Sequence, residues 1–101
     1  MKLGFIGTGE ITKSVILGII NSRIKFKRIF ISKRNKKISK FLKDKSNKIT
    51  ILNDNQNIIN NSKLIFLAVT PEVGRKIIKK LKFKKSNIVV SFISTINYTD
   101  L

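Results

Sequence analysis

"GFIGTGEIT", Gly4 to Thr12, decides how the rest of the chain is read. Gly7 and Gly9 stand two apart behind a short apolar strand pattern, "KLGFIG" (Lys2 to Gly7). Glu10 then opens a segment in which Ile11, Val15, Ile16, Ile19 and Ile20 recur at helical spacing, closing on polar Asn21 and Ser22. Strand, glycine turn and helix, in that order, are the setting in which such a loop has a physical task. Gly7 permits the tight turn, and Gly9 lets the backbone come close to a pyrophosphate. The free N–H groups at the start of the helix, with its dipole behind them, face the anion. The third position of this fingerprint is Thr12, where glycine or alanine lets the helix lie closest to the sheet, so the match departs there. Glu10 suits a helix N-terminus but must point to solvent if an anion is to sit beside it. A turn without a ligand is the competing reading of the two glycines.

Working outward, strand and helix patterns alternate to the end of the chain. "KRIFIS" (Lys27 to Ser32), "KITIL" (Lys48 to Leu52), "KLIFLAV" (Lys63 to Val69) and "NIVVSF" (Asn87 to Phe92) read as strands. The fourth is almost continuously apolar, as a strand covered on both faces should be. Between them, Ile38, Phe41 and Leu42 mark one face of a lysine-rich helix, and "DNQNIINNS" makes a short helix with Asp54 as its cap. Pro71 stands where a first helical turn tolerates proline, and Val73, Ile77, Ile78 and Leu81 follow as an apolar face. The order β-α-β-α-β-α-β-α-β predicts an α/β fold, a parallel sheet of about five strands with helices on both faces. Residues 1–101 read as one domain without repeat or linker.

Composition narrows the functional classes. The chain has neither cysteine nor histidine, which argues against thiolate or imidazole metal sites and removes the usual general base. No apolar run approaches the ~20 residues of a membrane span, and no signal-peptide pattern opens the chain, so a cytoplasmic location and no membrane partner are expected. The formal net charge is +17, from 22 basic and 5 acidic residues. Ile, Lys and Asn fill 47 of the 101 positions, and their shared A/T-rich codons account for much of that excess. Nucleic acid is therefore a weaker expectation than the charge implies, and the aromatics sit mostly in strands or on apolar helix faces instead of forming stacking platforms.

The end of the second strand bears on which dinucleotide fits. An acidic residue there holds the ribose 2′-hydroxyl of NAD, whereas NADP sites place groups that take the 2′-phosphate. The segment is "ISKRN": Ser32 at the strand end, then Lys33, Arg34 and Asn35, with no carboxylate among them. Arg34 suits a phosphate through paired hydrogen bonds. NADP(H) is the expected cofactor, with NAD(H) possible.

Taken together, "MKLGFIGTGEI", "ISKRN", "DNQNIINNSKLIFLAVTP" and "NIVVSFIST" resemble the N-terminal, Rossmann-type cofactor domain of the pyrroline-5-carboxylate reductases. In this region that family is similar to the deazaflavin-dependent NADP reductases. The resemblance implies reduction of a cyclic imine to proline, in proline biosynthesis, with hydride from NAD(P)H. It implies that Ile6, Gly7, Thr8, Gly9, Glu10 and Ile11 wrap the pyrophosphate, and that Ser32, Lys33 and Arg34 face the adenosine ribose and its phosphate. Asn55 falls near the adenosine. Ala68, Val69, Thr70 and Pro71 match the family's Ala-Val-Lys-Pro motif beside the nicotinamide, and Phe92, Ile93 and Ser94 form the far wall. Two positions depart: the motif's lysine is Thr70, and a glycine expected after the fifth strand is Thr95. The resemblance also implies a C-terminal helical domain that dimerises and completes the imine site, so residues 1–101 are expected to be a truncated form, inactive alone. No side chain reads as a catalytic proton donor. A non-catalytic nucleotide-binding module and, behind it, a basic nucleic-acid-binding protein remain the alternatives.

Overall fold

In a computed structural model, residues 1–7, 9–32 and 35–91 are described. The elements are β1 (Lys2–Ile6), α1 (Glu10–Ile20), β2 (Arg28–Ser32), α2 (Lys36–Lys45), β3 (Ile49–Leu52), α3 (Asn55–Asn61), β4 (Leu64–Leu67), α4 (Pro71–Lys80) and β5 (Ile88–Ser91). All strand pairings are parallel, in the spatial order β3-β2-β1-β4-β5. This is the expected α/β architecture.

Strand alternation sorts the side chains onto two layers. Leu3 and Phe5 of β1, Ile29 and Ile31 of β2 and Ile49 of β3 join Ile16 and Ile19 of α1 and Leu42 of α2 in one core. Ile6 of β1 and Ile65 and Leu67 of β4 join Ile59 of α3, with Ile77 of α4 against them, in the other. Helices α1 and α2 therefore cover one face of the sheet, and α3 and α4 the other. Phe5 and Phe66, partners in the β1–β4 register, stack with ring centroids 4.5 Å apart. On the opposite face of β1 Gly4 gives α3 room: a Cβ there would meet Ser62 Oγ and lie 2.7 Å from Ile58 Cγ2.

Several apolar positions are less covered than periodicity alone predicts. Ile11, assigned to the apolar face of α1, is 46% exposed, whereas its neighbour Thr12 in the same first turn is buried. Phe41 of α2 is partly exposed, with the ammonium groups of Lys13 and Lys45 at 4.6 and 5.0 Å from its ring centre. Ile78 of α4 and every residue of β5 are exposed, since β5 is the edge of the described sheet and is paired only to β4.

Candidate functional site

The strand order places β1 between β2 and β4, so the chain's crossovers leave β1 in opposite directions. Ligands of open α/β sheets lie outside the carboxyl ends of the strands at that switch point. Gly7 sits there, and its φ of 96° is the sole positive value among the described residues. A Cβ on Gly7 would run into the Ala68 carbonyl oxygen and lie 2.6 Å from Val69 Cγ1. The Ala68 N–H also donates to Ile6 O (2.9 Å), extending the β1–β4 ladder. Glycine at position 7 thus lets the end of β1 and the segment after β4 touch, which brings Ala68 and Val69 beside the loop.

Gly9 has the opposite environment. It is the N-cap of α1 with extended backbone (φ −130°), and a Cβ there would meet nothing within 4 Å. Having no side chain, it caps no N–H, whereas Asn35, Asp54 and Thr70 each accept from a first-turn N–H of α2, α3 and α4. The start of α1 thus has no side-chain cap at its N-cap position, as an anion-binding helix end requires. Glu10 is exposed, as the reading of this helix end requires. Thr12 is fully buried, and its Oγ1 donates to the Gly7 carbonyl oxygen at 2.6 Å.

A groove of about 470 Å³ opens beside this loop, lined by Gly7, Ser32, Lys36, Asn53, Asp54, Asn55 and Ile77. Three residues singled out in the sequence, Gly7, Ser32 and Asn55, therefore meet in one concavity. Register explains part of it: Ser32 pairs with Leu52, so β2 and β3 end level, and Asn53, Asp54 and Asn55, which follow β3, line the groove beside Ser32. Ile6 is buried under the loop, Ala68 and Val69 are half-buried beside it, and Thr70 is exposed at the start of α4, whose first residue is Pro71. Thr8, Lys33, Arg34, Phe92, Ile93 and Ser94 lie outside the described residues, as does Thr95.

The groove also holds residues that the sequence did not single out for it. Lys36, in the first turn of α2, brings a cation, and nothing in a chain so rich in lysine distinguishes it beforehand. Asp54 brings a carboxylate from the end of β3, so the site is not free of acidic groups as the segment after β2 alone implies. Its Oδ1 accepts from the Asn57 N–H at 2.8 Å, so capping α3 holds it in place. Thr70, where the resembled motif has lysine, caps α4 by accepting from Val73 N–H at 3.4 Å.

The family described as NADP oxidoreductase, coenzyme F420-dependent, matches residues 2–95. The chain belongs to this family. It is 31% identical over 104 residues to pyrroline-5-carboxylate reductase 3 of Danio rerio, an alignment spanning the whole chain and 35% of that protein. The fold also matches the crystal structure of 1-pyrroline-5-carboxylate reductase from Streptococcus pyogenes with a TM-score of 0.71. That match is at 24% identity and covers 92% of this chain and 34% of the other. The chain thus spans about a third of the length of each of these two relatives. The resemblance drawn from the motifs is borne out, and the family is one of nicotinamide-nucleotide oxidoreductases. Among the described residues no helix is long and apolar enough to cross a membrane.

Proposed function

We propose that this chain is the NADP(H)-binding domain of a pyrroline-5-carboxylate reductase-like oxidoreductase. The observation that carries the reading is the pair of glycines. Gly7 is held in a conformation that only glycine adopts freely, and Gly9 presents bare backbone to open space ahead of an uncapped helix. In this reading Ile6 to Ile11 surround the pyrophosphate. Ser32, Lys33, Arg34 and Lys36 serve the ribose 2′-phosphate, and Asn55 serves the adenosine. Ala68 to Pro71 and Phe92 to Ser94 border the nicotinamide. When bound, NADPH supplies the hydride. The chain's own residues bind and orient it, and no side chain is assigned a proton transfer. The imine site and a homodimer would depend on a helical domain of the kind the resemblance implies.

The preference for NADPH over NADH follows from charge. A charge-assisted hydrogen bond to the 2′-phosphate is worth roughly 1.5–3 kcal/mol, which corresponds to about tenfold or more in affinity. Fluorescence titration with NADPH and NADH at fixed ionic strength should show that difference, reduced in Arg34→Ala. Equal affinities for the two would remove the NADP assignment.

A further inference from the structure

Two buried hydroxyls tie helices to the carboxyl ends of the strands that precede them. Thr12, in the first turn of α1, is 0% exposed and donates to the Gly7 carbonyl oxygen at 2.6 Å. Ser39, in α2, is 1% exposed and donates to the Ser32 carbonyl oxygen at 2.7 Å. A helical Ser or Thr ordinarily turns back onto the carbonyl four residues earlier. Ser62 does so at the end of α3, bonding Ile58 O. Thr12 and Ser39 instead reach beyond their own helices to Gly7 and Ser32. Those carbonyls belong to the two residues at which the groove meets the ends of β1 and β2. Burial alone does not select these partners, because any acceptor would satisfy a buried hydroxyl.

We infer that Thr12 and Ser39 are positioning residues for the two halves of a dinucleotide. Thr12 fixes the glycine loop against α1 for the pyrophosphate. Ser39 fixes the end of β2 against the first turn of α2, where Lys36 enters the groove, for the adenosine ribose and its 2′-phosphate. The inference rests on the nucleotide-binding reading and deepens it. It also gives Thr12 a role at a position where the fingerprint carries glycine or alanine: the side chain that departs from the fingerprint is the one that anchors the loop.

The test uses Thr12→Val, Thr12→Ser and Ser39→Ala in the chain as it stands, with two readouts. The first is amide hydrogen exchange without nucleotide. Thr12→Val should speed exchange of the Lys13 N–H, which bonds Gly9 O, and Ser39→Ala that of the residue 39 N–H, which bonds Asn35 O. In neither variant should the Ile29 N–H, bonded to Lys48 O across the sheet, change in step. Uniform acceleration at all three would reduce both hydroxyls to general stability and overturn the inference. The second readout is affinity. Loss of one such hydrogen bond should weaken NADPH roughly three- to tenfold. Thr12→Val should weaken NADH by the same factor and Thr12→Ser should restore both, whereas Ser39→Ala should weaken NADPH more than NADH. Equal losses on both nucleotides in both variants, or no losses, would also overturn it. If the unmutated chain bound neither nucleotide, the functional reading would fall and the positioning role with it. A purely local exchange response would then leave the two hydroxyls as loop supports without a dinucleotide to position.

Discussion

At the residue scale, the two loop glycines answer to different constraints, and mutation separates them. Gly7→Ala forces a methyl group onto the Ala68 carbonyl while the backbone stays at positive φ. Such strain costs roughly 1–3 kcal/mol before the clash is counted. In a domain of this size each kcal/mol lowers Tm by about 4–8 °C, so a drop of several degrees is expected in a thermal melt. Gly9→Ala is expected to lower Tm much less than Gly7→Ala, because its φ suits any residue and its Cβ meets nothing, which leaves only the poorer N-capping of alanine. It should nevertheless weaken NADPH, since the methyl group takes the space a phosphate would approach. A Gly9→Ala protein that binds NADPH like the unmutated chain would place the phosphate elsewhere. Thr12 carries the complementary lesson. Its identity reads in the sequence only as a mismatch, because the hydrogen bond that explains it exists only once β1 and α1 are folded together.

At the scale of elements, caps and registers decide what lines the groove. Asp54 holds the N-terminus of α3 and at the same time lines the groove. Asp54→Ala should cost about 1 kcal/mol through the lost cap, whereas Asp54→Asn keeps an equivalent acceptor and should be close to neutral. Asp54→Asn also removes a negative charge from the groove that Lys36 lines, so NADPH should bind about two- to threefold tighter at low ionic strength, an advantage that salt diminishes. Melting curves and titrations on the pair distinguish the two effects. The elements themselves were legible in the sequence because each apolar run had either strand or helix periodicity and a readable punctuation at Gly7, Asp54 or Pro71. Their neighbours in space were less so. Lys36 and Asp54 come to the groove through the level ends of β2 and β3, a matter of register that local pattern does not carry. The exposure of Ile11, Ile78 and the residues of β5 was hidden for the same reason: periodicity tells which side chains share a face, and not whether another element reaches that face.

At the scale of the whole molecule, the charge of +17 acts on every anion, and a specific site must be told apart from that background. Duplex DNA should bind weakly, without sequence preference, and with affinity that falls steeply as salt rises, because released counterions supply nearly all of that binding. Nanomolar affinity for one sequence over scrambled controls near physiological salt would bring the nucleic-acid alternative forward. NADPH carries several negative charges as well, so bulk affinity alone is a poor witness for the groove. The direct measurement is an NADPH titration near physiological salt followed by backbone amide chemical shifts. The account predicts saturable, one-to-one changes concentrated at Gly7, Gly9, Glu10, Ser32, Lys36, Asn55 and Ala68, at the carboxyl ends of the strands. Shifts spread over the exposed lysines of α2 and α4 without saturation, or none at the glycine loop, would contradict it.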